Sequence, residues 1–144
     1  SHIPFMVYHP KGKGGGRHIG GYAQPVDLTA TLLAEAGAKP PKEFHGLSLL
    51  PAILGKTPRA PRKFAICCEK TNNPALVTDR WLFHPWGEGP KGAGKPALYD
   101  RAKDPNCDRN VVRKHASDAR KLRRTLRGFF QTHGAKEDVV KLYD

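Results

Sequence analysis

Thirteen prolines and fifteen glycines are scattered through the 144 residues, and they limit the size of every element the chain can build. A proline inside a helix removes a backbone donor, and its ring collides with the preceding turn. Glycine weakens helices and strands by enlarging the unfolded ensemble. This punctuation leaves no room for the sustained heptads of a coiled coil. No run approaches the ~18 consecutive apolar residues of a membrane-spanning helix. Apolar clusters such as Ile3-Pro4-Phe5-Met6-Val7-Tyr8 nevertheless recur, so the chain does not read as disordered. Lys and Arg number 25 against 13 Asp and Glu, a net charge of +12, and hydrophobic residues make up 38%. The result is a loop-rich, basic chain of one-domain length with a modest core.

Ile3 to His9 is almost continuously apolar rather than alternating, the pattern of a strand buried on both faces of a parallel or mixed sheet. Such a strand needs neighbours on each side, yet the chain opens within two residues of it. The expectation is that those neighbours belong to a part of the protein ahead of Ser1. The opening segment lacks the charged n-region of a signal peptide. Lys11 to Arg17 is rich in glycine, and bare backbone N–H groups can cradle phosphate. Its spacing fails that test. No GK[ST] closes the loop, and Arg17 holds the third glycine position of a GxGxxG. It reads as a flexible basic surface loop.

A helix is expected from Pro25 to Ala36. Pro25 suits the first turn, Asp27 complements the positive helix start, and Gly37 terminates. Lys39-Pro40-Pro41 prevents continuation. A short helical turn is expected within His45 to Gly55, its leucines pinning a loop to the core. After the linker Thr57 to Arg62, short apolar runs follow at Lys63–Glu69, Ala75–Thr78, Trp81–His84 and Ala97–Asp100. Asn72-Asn73-Pro74 and Gly87 to Lys95 separate them, the pattern of an antiparallel meander. The chain closes with an amphipathic helix from Ala116 to His133. Ala119, Leu122, Leu126, Phe129 and Phe130 form its apolar stripe, which would cover one face of the small sheet.

Arg113, Lys114, Arg120, Lys121, Arg123, Arg124 and Arg127 crowd this last helix. A basic face of this kind can neutralise phosphates, so a binding module for nucleic acid or acidic glycans is one reading. No recognition-helix unit and no aromatic RNA-binding strand motif accompanies it, and a solvated face explains the same residues.

Chemistry-bearing motifs are missing from the sequence. The seven histidines show no HExxH and no ligand spacing. No GxSxG elbow is present. Cys67, Cys68 and Cys107 are an odd set without a CxxC pair, and are expected as partly buried thiols.

The order of pieces is more informative than any one of them. Ile3-Pro4-Phe5-Met6-Val7-Tyr8-His9-Pro10 is followed by the glycine-rich loop, then by Val26-Asp27-Leu28-Thr29-Ala30-Thr31-Leu32-Leu33 running to Gly37. Gly46-Leu47-Ser48-Leu49-Leu50-Pro51 runs to Gly55, and Leu98-Tyr99-Asp100 precedes Asp104-Pro105 and Asn110. This succession resembles the C-terminal third of the sulfatases, in the alkaline-phosphatase-like superfamily, and covers nearly the whole chain. Ala30 stands where that family usually has Pro, and Asn106-Cys107 replaces a common Glu.

The resemblance implies an α/β plus α+β architecture. Residues 1–56 would supply the last strand and helix of an alkaline-phosphatase-like mixed sheet. Residues 57–144 would form a subdomain in which a small antiparallel sheet packs against a C-terminal amphipathic helix. Sulfatases hydrolyse sulfate esters with a formylglycine made within C-x-P-S-R, beside a calcium ion. No C-x-P-S-R occurs here, so no catalytic residue, metal ligand or cofactor is expected in this chain. Calcium and the formylglycine nucleophile are expected in the full-length parent, and this fragment alone is expected to be inactive. Its partners would be the missing N-terminal catalytic part of the same protein and a sulfated, polyanionic carbohydrate substrate. In such enzymes loops of the C-terminal subdomain often rim the substrate pocket. The candidate is the loop from His84 to Lys95, where Trp86 would stack on a sugar or aryl ring and His84, Lys91 and Lys95 would attract an anion. The tail of a phosphatase or phosphodiesterase of the same superfamily would read alike. The resemblance implies a periplasmic, secreted or lysosomal location.

Overall fold

A computed structural model describes residues 3–68, 73–86 and 94–144. The chain divides into two compact units, Ser1–Lys63 and Phe64–Asp144.

The first unit is built on helix α1, Pro25–Glu35, and the short helix α2, Leu50–Ile53. Asp27 joins them. Its carboxylate accepts from the Gln24 amide at 2.8 Å, from the Leu47 amide at 2.8 Å, and from Arg62 Nε and Nη2 at 2.6 Å each. Thr31, one turn on, donates to the Asp27 carbonyl at 2.6 Å while its hydroxyl accepts from the Leu49 amide at 2.9 Å. Gly46 lies so close to α1 that a Cβ there would land on the Val26 carbonyl oxygen and the Phe44 ring. The segment Thr57–Arg62, expected as a linker to the meander, is bound into this first unit. Gly20 bridges Arg59, Tyr22 bridges Arg62, and the Ala60 amide donates to the Gly20 carbonyl at 2.9 Å.

The glycine-rich loop is solvent-exposed, and its end is anchored. Arg17 Nη2 donates to the Ala52 and Ile53 carbonyls at 3.1 and 2.7 Å at the end of α2, where the Ala52 carbonyl also accepts from the Gly55 amide at 3.1 Å. Gly14, at φ +73°, sits against the Ile53 carbonyl where a side chain has no room.

Residues 3–9, expected as a buried strand, pair with no strand among the described residues. Ile3, Met6 and Tyr8 are 76, 91 and 86% exposed. The apolar run supplies side chains suited to burial, but a strand exists only where another backbone pairs with it. The described residues form no large mixed sheet. Leu28 and Leu32, one turn apart on α1, are also exposed, and the small buried set of this unit is Ala30, Leu49, Ala52 and Ile53.

The second unit holds the meander. Strands β1 (Ala65–Cys68), β2 (Pro74–Val77), β3 (Trp81–His84) and β4 (Ala97–Asp100) form an antiparallel sheet in sequence order. Helix α3 (Ala116–Thr132) lays its stripe on that sheet, and Leu76, Phe83 and Leu98 meet Ala119, Leu122 and Leu126 in one core. Phe129 and Phe130 are half-buried at the edge of that contact. A helix absent from the sequence reading, α4 (Glu137–Lys141), follows, and Tyr143 just beyond it enters the core. Cys67 and Cys68 are exposed rather than partly buried, because β1 is the edge strand and its second half runs past the core. No helix among the described residues is long and apolar enough to cross a membrane.

Candidate functional site

The β3–β4 connection leaves the sheet after the last register pair, His84 opposite Ala97. His84 is half-buried and meets Tyr99 edge-on, with ring centroids 6.4 Å apart. Pro85 is fully buried, and its carbonyl accepts from Arg123 Nη2 of α3 at 3.0 Å. Trp86 is half-buried, with its ring 4.8 Å from that of Tyr143, which in turn stacks on Phe130 at 5.0 Å. Lys95 is exposed on the returning limb. Lys91 lies outside the described residues. His84, Trp86 and Lys95 thus share one end of the sheet. Trp86 spends part of its ring surface on Tyr143 and Pro85 on Arg123, so the loop departs from a fixed base.

Arg123 and Tyr143 were not singled out in the sequence. Arg123 looked like its basic neighbours, and its reach to a carbonyl 38 residues away has no local signature. Burial, reinforced by Cys68 and partly offset by Arg123, pushes the Tyr143 hydroxyl well above its ordinary value, so it stays a neutral phenol.

Cys68 and Cys107 are not activated. Cys68 is exposed as a residue, yet desolvation at its thiol, then the neighbouring Cys67, pushes it up, while burial and Asp104 raise Cys107. A nucleophilic cysteine needs the opposite shift. Among the described residues no group of three His, Cys, Asp or Glu is placed to hold a metal ion. These residues therefore do not fit a calcium site, and no chemical step is assigned to them.

The residues that carry the sequence resemblance are structural joints. Asp27 holds α1 to residues 45–62 through three of the hydrogen bonds above, from the Leu47 amide and from Arg62 Nε and Nη2, while the fourth caps α1 at Gln24. Burial alone would raise its carboxyl, but the Arg62 guanidinium and the Leu47 and Gln24 amides outweigh that and hold it below the usual range. Asp100 is held low in the same way, burial opposed by Arg80, whose guanidinium also lies 4.3 Å over the Trp81 ring. Asp104 accepts from the Asp108 and Arg109 amides at 3.2 and 2.8 Å, shaping the turn after β4. Asn110 clasps the start of β4. Its Oδ1 accepts from Leu98 and Val112 at 3.1 and 3.0 Å, and its Nδ2 donates to the Pro96 carbonyl at 3.3 Å.

No family model and no curated protein matches this chain. Solved structures do. One is a 6S-sulf protein from a Bacteroides thetaiotaomicron locus for metabolism of multiple glycosaminoglycans, with TM-score 0.61 and 23% identity, covering 72% of this chain and 24% of its own. A second, a 2-O glycosaminoglycan sulfatase, has TM-score 0.59 and 20% identity over 79% of this chain and 28% of its own. A third was solved with its substrate D-glucosamine-2-N,6-O-disulfate; it has TM-score 0.52 and 20% identity over 81% of this chain and 24% of its own. The chain has the fold of part of a bacterial sulfatase. It spans about a quarter of the length of the sulfatase structures it matches. The joints above hold turns and helices in register within each unit.

Proposed function

We propose that this chain is the C-terminal region of a sulfatase, a sulfuric ester hydrolase, and that it completes the fold and the substrate rim without breaking the ester bond. One observation carries this reading. The first unit leaves Ile3, Phe5, Met6, Val7 and Tyr8 exposed together with Leu28 and Leu32. So many exposed large apolar side chains in one small unit mark an interface rather than a finished face. In the proposed arrangement residues 3–9 add a strand to an alkaline-phosphatase-like mixed sheet, and α1 packs over it. The likeness to about a quarter of several sulfatase chains supports the same reading. Calcium and the formylglycine nucleophile belong, on this reading, to the N-terminal catalytic part of the same protein. The β3–β4 end, with His84, Trp86, Lys91 and Lys95, lies at the rim and meets a sulfated carbohydrate. An exported or lysosomal location goes with that substrate class.

The test is an assay of the complete protein, matured to carry formylglycine, on para-nitrophenyl sulfate, para-nitrophenyl phosphate and sulfated disaccharides. Sulfate release is expected, with Trp86→Ala and Lys95→Ala raising KM on the disaccharides. Turnover of the phosphate ester alone would assign the chain to a phosphatase or phosphodiesterase instead.

A further inference from the structure

Helix α3 carries a charge pattern that its fold does not use. Its inner face is committed to Ala119, Leu122 and Leu126. On the outer face Arg120 and Arg124 are one turn apart, with Lys121 beside them and Arg113 and Lys114 just ahead of the helix. All five are exposed, and none has an ion-pair partner among the described residues. The nearby acids are already engaged, Asp118 with His115 at 3.4 Å and Asp144 with Arg127 at 2.5 Å. Like charges four residues apart on a helix repel, so Arg120 with Arg124 and Arg123 with Arg127 weaken α3 rather than support it. An anion held against this face would relieve that repulsion. At a rise of about 1.5 Å per residue, the cations from Arg120 to Arg127 span roughly 10 Å, the reach of an extended chain rather than of a single small ion. Arg123 ties this face to Pro85, at the base of the β3–β4 loop.

We infer that the outer face of α3 is a docking track for an extended sulfated polysaccharide, running away from the β3–β4 end and holding the polymer while one residue of it is processed elsewhere. The choice of a sulfated glycan over a nucleic acid rests on the function proposed above and on a second observation. Proteins hold single-stranded nucleic acid on exposed aromatic platforms, and the α3 aromatics Phe129 and Phe130 are half-buried in packing with Phe64 and Tyr143. A sulfated chain needs cations at intervals and no stacking surface.

The test measures binding of the complete protein to immobilised heparin as salt is raised, with single-stranded DNA of matched charge as competitor. The variant is Arg120→Gln, Lys121→Gln, Arg124→Gln. A control removes three exposed cations elsewhere, Lys11→Gln, Lys13→Gln, Lys42→Gln, at the same net charge. The α3 variant is expected to elute at lower salt, its salt slope shallower by about two to three ions. It is also expected to melt no lower than the parent, since repulsion in α3 is relieved. The control is expected to elute with the parent. Equal elution of the α3 variant and the parent, or an equal fall in the control, would overturn the track. DNA competing as well as heparin would overturn its assignment to a glycan. The readout needs no turnover, so an inert protein that still binds heparin through α3 would count against the sulfatase reading alone.

Discussion

Removing the Asp27 carboxylate should loosen the whole first unit. Asp27 is fully buried, and Arg62, its bidentate partner, has a side chain only 9% exposed. Deleting one member of a buried pair leaves the other charge desolvated and uncompensated, at about 3–5 kcal/mol. Asp27→Ala also strips the acceptor from the Leu47 amide. The assay is amide hydrogen exchange in the complete protein, read on α1 and on the Leu49 amide, which bonds Thr31 and not Asp27. At about 1.4 kcal/mol per factor of ten, those amides should exchange roughly a hundredfold faster or more. Asp27→Ala with Arg62→Ala should cost less than the sum of the two, because the orphaned charge is gone. The sign of the pH effect follows from the depressed carboxyl. Its stabilisation is fully present above the ordinary carboxylate value and is lost as pH falls through the lower folded value. Protection of the Leu49 amide should therefore decline in acid, and Asp27→Asn should remove that acid dependence. Less than a tenfold change in Asp27→Ala, or additive single and double variants, would refute the role given to this pair.

Three further outcomes are expected. Gly46→Ala should destabilise the α1–α2 unit by more than 1 kcal/mol, roughly an overpacking cost, because the added methyl meets backbone oxygen and the Phe44 ring; faster exchange in residues 45–50 checks it. Leu126→Ala, at a fully buried position against the sheet, should cost about 2–5 kcal/mol, measured by denaturant unfolding of the Phe64–Asp144 transition. Asn110→Ala should free the Leu98 and Val112 amides and the Pro96 carbonyl, costing about 1–3 kcal/mol, and should speed exchange at Leu98 while leaving β1–β2 amides unaffected.

The second unit was the more legible half. Short apolar runs between turn residues located all four strands, since neighbouring strands in sequence also pair in space. The α3 stripe was readable because the 3.6-residue period and the buried face are the same fact. Helix α4 escaped notice because five residues, Glu137 to Lys141, are too few for a period to emerge. Residues 3–9 mark the other limit: their apolar character specifies burial, while strand geometry requires a partner backbone that the described residues do not provide. Of the candidate site, His84 and Trp86 were named in the sequence because they open the loop that the resemblance places at a substrate rim. Arg123 and Tyr143 were not, because each acts on a residue far along the chain.

By itself the sequence determined the local elements, the buried stripe of α3, the absence of sulfatase nucleophile chemistry in its motifs, and the order of pieces that resembles a sulfatase tail. These depend on neighbours within a turn or a hairpin, where spacing and backbone geometry coincide. Only the tertiary structure decided that Asp27 answers Arg62 across 35 residues, that Asn110 clasps β4, and that Arg123 braces Pro85 while Arg120 and Arg124 have no ion-pair partner among the described residues. Which of several chemically equivalent charges finds a partner is settled by packing at long sequence separation, and no local pattern encodes it.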